Sequence, residues 1–157
     1  GLVLERAQQT PWADANGGSA AYMLVEPRLE RGSLVLKAGW ERLGAGRARA
    51  FQTPLATLHA FNGWADKFLA TPANGLRDTY VSAQGGLEIG SRKGKWEVAF
   101  HEFRGDRGNL RYGSELDASL GVTLRPGLDV LAKLAHYRSD GFARDTDKLW
   151  LQVEWTP

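Results

Sequence analysis

The feature that most constrains this chain is a two-residue rhythm of apolar and polar side chains that returns in segment after segment. It is clearest from Ser33 to Leu43, where Leu34, Leu36, Ala38 and Trp40 fall on one side and Val35, Lys37, Gly39 and Glu41 on the other. The same rhythm sets Trp96, Val98 and Phe100 against Lys95, Glu97, Ala99 and His101. It sets Tyr112, Leu116, Ala118, Leu120, Val122 and Leu124 against Arg111, Gly113, Glu115, Asp117 and Ser119. Near the end, Leu149, Leu151, Val153 and Trp155 alternate with Trp150, Gln152 and Glu154. Successive side chains of a strand point to opposite faces, so this rhythm predicts strands with one apolar and one polar face. Fainter versions at 2–9, 20–29, 78–89 and 127–138 bring the expected number to about eight.

The connections fall into two kinds. Short turns are expected at Glu30-Arg31-Gly32, Ser91-Arg92-Lys93-Gly94 and Arg125-Pro126-Gly127, and mostly longer or more polar loops at 10–18, 44–76, 104–109 and 139–147. Long and short alternate along the chain, as in an up-and-down outer-membrane barrel with short periplasmic turns and longer outer loops. The expected fold class is therefore all-β, an antiparallel up-and-down transmembrane β-barrel. It is read as one segment over 1–157 with a long, partly helical outer loop at about 44–76, and with both chain ends periplasmic.

Alternation alone does not say which face is wet, because a soluble lipocalin-type barrel shows the same pattern with its apolar side inward. Aromatic placement favours an apolar face turned to lipid. Trp40 and Tyr112 lie toward the long-loop ends of their strands, Trp96 and Trp155 toward the short-turn ends, with Leu, Val and Ala between, as in two interfacial girdles. The opposite faces carry Lys37, Glu41, Glu97, Glu115, Asp117, Asp129 and Lys133, which suit either a wet lumen or the coat of a soluble barrel. Absence of cysteine removes disulfides and thiolate metal sites, and a net charge of +2 gives no overall drive toward nucleic acid. No stretch approaches the roughly 20 apolar residues of a membrane helix, which a barrel does not need.

The 44–76 connection is long enough to demand a role. Thr53-Pro54 is a helix-start signal, and Phe51, Leu55, Leu58, Phe61, Trp64 and Phe68 recur at helical spacing. Asn62-Gly63 would end a first turn or two, and Thr71-Pro72 a second. Such a stripe packs on the barrel rim or folds inward to narrow a pore, and rim packing is the commoner role. Phe51, His59, Phe61 and Trp64 are the candidates for a constriction.

Three runs make the chain similar to a known family: Phe51-Gln-Thr-Pro-Leu-Ala-Thr-Leu-His-Ala-Phe-Asn-Gly-Trp-Ala-Asp-Lys-Phe-Leu, Asn74-Gly-Leu-Arg-Asp-Thr-Tyr, and Ala135-His-Tyr-Arg-Ser-Asp-Gly-Phe-Ala-Arg-Asp-Thr-Asp-Lys-Leu-Trp-Leu-Gln. Together they resemble the alginate-export family of outer-membrane porins over most of residues 44–155. The resemblance implies the C-terminal part of a Gram-negative barrel of about 18 strands. That barrel would pass an anionic polysaccharide such as alginate, or a related small anion, through a basic pore completed by missing N-terminal strands. One departure is the ending, Trp155-Thr156-Pro157, where family members tend to finish on an aromatic residue.

Conducting a polyuronate requires fixed positive charge, balanced by acids so that the polymer can leave. Arginine suits carboxylates through its planar fork. Arg28, Lys37, Arg111 and Lys133 are expected on inward faces, with Arg104 and Arg138 nearer the outer mouth, and Glu41, Glu97, Glu115 and Asp117 as their acid partners. The bland alternative is a ladder of ion pairs between strands that holds shape and selects nothing. No metal or cofactor is expected. The acids of 105–109 and 140–147 lack calcium-loop spacing and fit ordinary turn chemistry. His59, His101 and His136 share no ligand spacing. His101 is expected on a polar face near Glu115 or Glu97, where a Ser-His-Asp grouping stays open.

The chain reads as a non-enzymatic channel segment. Two alternatives remain: a closed eight-stranded outer-membrane enzyme (acyltransferase-like) or anchor, which requires 2–9 to pair with 148–156, and a soluble ligand-binding barrel, which requires Leu34, Leu36, Val98 and Leu151 to be buried. G-x-S-x-G is missing, so no nucleophile is marked.

Overall fold

The computed structural model describes residues 1–10, 18–53 and 62–156, and within them the alternating segments form eight strands. These are β1 (Leu2–Gln9), β2 (Ala20–Arg31), β3 (Leu34–Leu43), β4 (Leu76–Ile89), β5 (Arg92–Arg104), β6 (Arg111–Arg125), β7 (Leu128–Ser139) and β8 (Thr146–Trp155). Each pairs antiparallel with the next, in one sheet of order β1 to β8. β1 and β8 do not pair with each other, so the sheet is open at both sides.

Loop parity follows the expectation. Two-residue turns join β2 to β3, β4 to β5 and β6 to β7, and longer segments make the other connections. Each tight turn contains a glycine at positive φ: Gly32 at 60°, Gly90 at 63° and Gly127 at 74°. Such turns match the twist of the flanking strands and fix register. The second turn is Gly90-Ser91, earlier and tighter than the expected Ser91–Gly94, because Arg92 already pairs with Ile89.

Register carries the period-two pattern across the whole sheet. Leu36 lies opposite Ala83, then Val98, Ala118, Leu134 and Leu149 on successive strands. One residue along, Lys37 lies in a row with Ser82, Ala99, Asp117, Ala135 and Lys148. The sheet thus has an apolar face and a polar face, and the apolar one is bare: Leu36 is 40% exposed, Val98 41% and Leu151 74%. The buried cluster lies on the opposite face, near the long-loop ends of the strands. It comprises Leu43, Ala65, Phe68, Leu76, Phe103, Tyr112, Ala135 and Tyr137.

One irregularity corrects two expected placements. Phe103 pairs with Gly113 but Arg104 with Arg111, so Tyr112 is an extra residue in β6. A bulge of this kind re-aims side chains. Tyr112 leaves the expected apolar girdle and is buried against Phe68 and Phe142. Arg111 leaves the polar face and falls in register with Arg104 at the rim. Gly113 permits the kink: its φ is 152°, and a Cβ there would lie 2.3 Å from the Arg138 carbonyl oxygen.

The ends of the long loop are clamped by the β5–β6 connection. Arg42 donates two hydrogen bonds to Asp106, at 2.6 and 3.0 Å, and the Ala45 N–H donates a third at 3.0 Å. Arg77 donates to the Gly105 carbonyl, and the Arg107 N–H to that of Asn74. Burial pushes the Asp106 carboxyl up, but the hydrogen bonds from Arg42 and Ala45 outweigh it and hold the group below its ordinary value. A carboxyl depressed on folding contributes stability that is complete above the unfolded pKa of about 3.9 and lost as pH falls through the lower folded value. Protease cleavage within 45–53 is therefore expected to be pH-independent at neutrality and to rise below about pH 4. In Asp106→Asn, which lacks the charged acceptor, cleavage is expected to be raised already at neutral pH.

Candidate functional site

Beyond the Asn62-Gly63 pair, the long loop does not stay at the rim. Asn62 and Gly63 have φ of 56° and 84°, and the chain then lies across the polar face as a strap from Asn62 to Phe68. Asn62 and Gly63 are not helical, Trp64 and Phe68 are in turns, and no helix occurs among the described residues of 44–76. The reason is where the backbone donors go. The Trp64 N–H donates to Asp117 at 3.3 Å and the Ala65 N–H to Glu115 at 2.6 Å, using groups that a helix would direct to its own carbonyls. The remainder of the expected stripe, Leu55, Leu58 and Phe61, and the constriction candidate His59 lie outside the described residues.

The wall under the strap is a row of buried carboxylates. Register brings Glu41 beside Asp78, and Glu115 beside His101. The Asn62 side-chain amide donates to Glu41 at 2.5 Å and sits 3.4 Å from Asp78. Tyr22 donates its hydroxyl proton to the other Glu41 oxygen at 2.9 Å. Glu115 and Asp117 are 1% and 0% exposed, so the strap's N–H groups supply donors that water would otherwise provide. Gly63 is required by closeness as well as by φ, since a Cβ would lie 2.6–2.9 Å from the Glu115 carboxylate atoms.

The far side of the strap is tied to β8 and its approach. Lys148 pairs with Asp66 at 2.7 Å, and Lys67 donates to the Thr146 hydroxyl at 2.6 Å. Phe68 inserts into the aromatic cluster, with ring centroids 4.5 Å from Phe103 and 5.3 Å from Phe142. Tyr137 sits fully buried beneath; its hydroxyl lies 2.8 Å from the Tyr112 carbonyl and 2.9 Å from that of Phe142. Trp64 lies under the Lys133 ammonium at 4.1 Å, and Trp150 approaches the same ammonium from the opposite strand at 5.5 Å. Below the strap is a cavity of about 250 Å³ whose lining includes Glu26, Lys37, Trp64, Tyr80 and Glu97.

The expected path residues separate into two groups. Arg28, Lys37 and Lys133 lie on the polar face, Arg28 beside Glu30 at 2.6 Å and Lys37 3.8 Å from Glu26. Arg104, Arg111 and Arg138 lie at the long-loop rim, paired with Glu102, Asp140 and Asp145. The rim position of Arg111 differs from the inward one its sequence pattern predicts, because of the Tyr112 bulge. The four acids share the polar face, but Glu41, Glu115 and Asp117 bond the strap rather than the bases assigned to them, while Glu97 lines the cavity. Phe51 packs on Tyr22 at 5.4 Å instead of crossing the wall.

His101 is held by Asp78 at 2.9 Å, with Asp117 3.9 Å from its other nitrogen, and its ring stacks between Tyr80 and Phe103. Its Nδ1 is hydrogen-bonded to Asp78, while Nε2 faces Asp117 beyond hydrogen-bond distance. Sequence reasoning missed Asp78, Asn62, Ala65, Asp66 and Lys148. In the sequence Asn62 marks only a helix stop, and Asp78 opens one of the fainter alternating runs.

No family model, curated protein or solved structure matches this chain.

The Tyr137 hydroxyl ties the bulge of β6 to the β7–β8 loop under the strap. Tyr137→Phe removes one hydroxyl donor shared by two carbonyls, each of which keeps another (the Asp140 N–H for Tyr112, the Ser139 hydroxyl for Phe142), and is expected to destabilise the protein by about 0.5–1.5 kcal/mol. Urea unfolding of the refolded protein, followed by tryptophan fluorescence, measures it.

Proposed function

We propose that this chain is a wall segment of an outer-membrane porin, with its apolar face toward lipid and its polar face toward a water-filled lumen. The observation that carries the reading is the inverted distribution of burial. Along the middle of the strands the apolar face is uncovered, while the buried carboxylates and the Lys37–Glu26 and His101–Asp78 pairs lie on the other; the pairs on the apolar side, Arg104–Glu102 and His136–Asp147, sit toward the long-loop ends. A protein in water rarely leaves so extended an apolar surface exposed. In a bilayer the arrangement is the required one, because a sheet satisfies its backbone internally and shows hydrocarbon outward. The burial of Leu34, Leu36, Val98 and Leu151 that a soluble ligand-binding barrel needs is not met: all four are exposed.

The open sides of the sheet support a partial barrel over a closed eight-stranded enzyme or anchor. An eight-stranded barrel fills its interior with side chains and leaves no aqueous path. In the porin reading the free edges of β1 and β8 meet further strands of the same barrel, which the family resemblance puts at about 18 in all. The short turns and both chain ends then lie on the periplasmic side, and the long loops outside. The proposed solute is an anionic polysaccharide or a related small anion, drawn by Lys37, Lys95 and Lys133 and released past Glu26 and Glu97. This work needs no cofactor, metal or nucleic acid.

Two measurements test the reading. Full-length protein in liposomes is expected to pass uronate oligomers faster than neutral sugars of equal size; no flux from folded protein would sink the channel, and equal flux would sink the anion preference. Membrane orientation is tested by paired charges. Leu134→Arg, on the apolar face at mid-strand, is expected to cost roughly 2–4 kcal/mol in bilayer refolding titrations. Ser119→Arg, on the polar face, is expected to cost less than about 1 kcal/mol. Equal costs would contradict a lipid-facing apolar side.

A further inference from the structure

We infer that the Asn62–Phe68 strap is the size filter of the channel, and that Glu41, Glu115 and Asp117 are positioning residues that hold it at a fixed height over the wall. This rests on the reading of the polar face as a lumen. The strap reaches from Glu41 on β3, over Glu115 and Asp117 on β6, to Thr146 and Lys148 on β8. It therefore crosses most of the width of the sheet on the side where solute would pass.

Three properties make it a fixed constriction. Its backbone donors end on carboxylates that are themselves almost fully buried, so moving the strap away would leave those acids without donors in a poorly hydrated place. Its two ends are anchored by different chemistry: the Asn62 amide on Glu41 at one, and the Phe68 ring among Phe103, Tyr112 and Phe142 at the other. At Gly63 the wall leaves no room for a side chain, since a Cβ there would meet the Glu115 carboxylate. The half-buried Trp64 ring, with the Lys133 ammonium 4.1 Å from its centroid, is the strap's bulkiest surface toward the cavity.

Buried acids that accept backbone N–H groups have a distinct signature on substitution. Glu115→Gln keeps an oxygen to accept from Ala65, whereas Glu115→Ala removes it. Trp64→Ala removes the bulk from the lumen but leaves both N–H bonds in place, so it reads out the filter without disturbing the anchor.

The test is single-channel conductance of the full-length protein in planar bilayers, together with liposome swelling in neutral sugars of graded size. Glu115→Ala and Trp64→Ala are each expected to raise conductance by about twofold or more and to admit larger sugars. Glu115→Gln is expected to stay close to wild type. Unchanged conductance and size limit in Trp64→Ala would overturn the inference, and that variant decides the matter if Glu115→Ala fails to fold. A conducting wild type with insensitive variants refutes the filter alone, while a folded wild type that conducts nothing refutes the channel reading beneath it.

Discussion

The antiparallel register, carried across seven consecutive strand pairs with shifts at Phe103/Arg104 and Thr123/Arg125, is the constraint on which everything else in this protein rests. Because side chains alternate, a one-residue slip anywhere would move a whole strand's polar set to the apolar side. Glu41, Asp78, His101, Glu115 and Asp117 come from four strands and meet only in this register. The strap has no regular structure of its own among its described residues, so its course is set by where that register places the acceptors. Glycines in the three tight turns secure the pairing locally, and each hairpin then hands its register to the next strand.

The acid row also explains why polar groups can be concentrated on one face of a small sheet. A buried carboxylate is costly without donors, and here the donors are backbone N–H groups, an asparagine amide, a tyrosine hydroxyl and a histidine ring. Most of these bonds join elements far apart in sequence, such as Ala65 with Glu115. Removing any one donor exposes its neighbours to the same shortage, so the row behaves as a network whose members support one another. The free sides of β1 and β8 present the complementary problem, a line of backbone donors and acceptors with no partner inside the sheet.

Much of the fold was legible in the sequence, because period two is a local property and needs no knowledge of neighbours. The eight strands follow from it; the loop parity needs the turn residues as well, and the bare faces of Leu36, Val98 and Leu151 the placement of Trp40, Trp96 and Trp155. The failures have one physical source: they depend on contacts between distant residues. A single inserted residue at Tyr112 is invisible to an alternation count, yet it turned that ring into the core and displaced Arg111 to the rim. Glu115 and Asp117 were correctly placed on the polar face, but charge pairing suggested bases as their partners, and backbone N–H groups from the strap took that role. Nothing in the residue types around Asn62-Gly63 announces that a turn will rest on a carboxylate; only the glycine's lack of a side chain hints at a close approach.

The unequal connections also set a timetable for assembly. β2–β3, β4–β5 and β6–β7 are joined by two residues each, so their pairing closes almost no loop and can occur as soon as each pair is made. Joining β3 to β4 must first bring together the ends of the longest connection, at an entropic cost that grows with its length. Three ready hairpins therefore form the early units, and the β3–β4 seam is the late step. The acid row straddles that seam, with Glu41 on one side and Asp78 on the other, so the strap has no complete seat until the slowest pairing is finished. Its docking reports a completed wall.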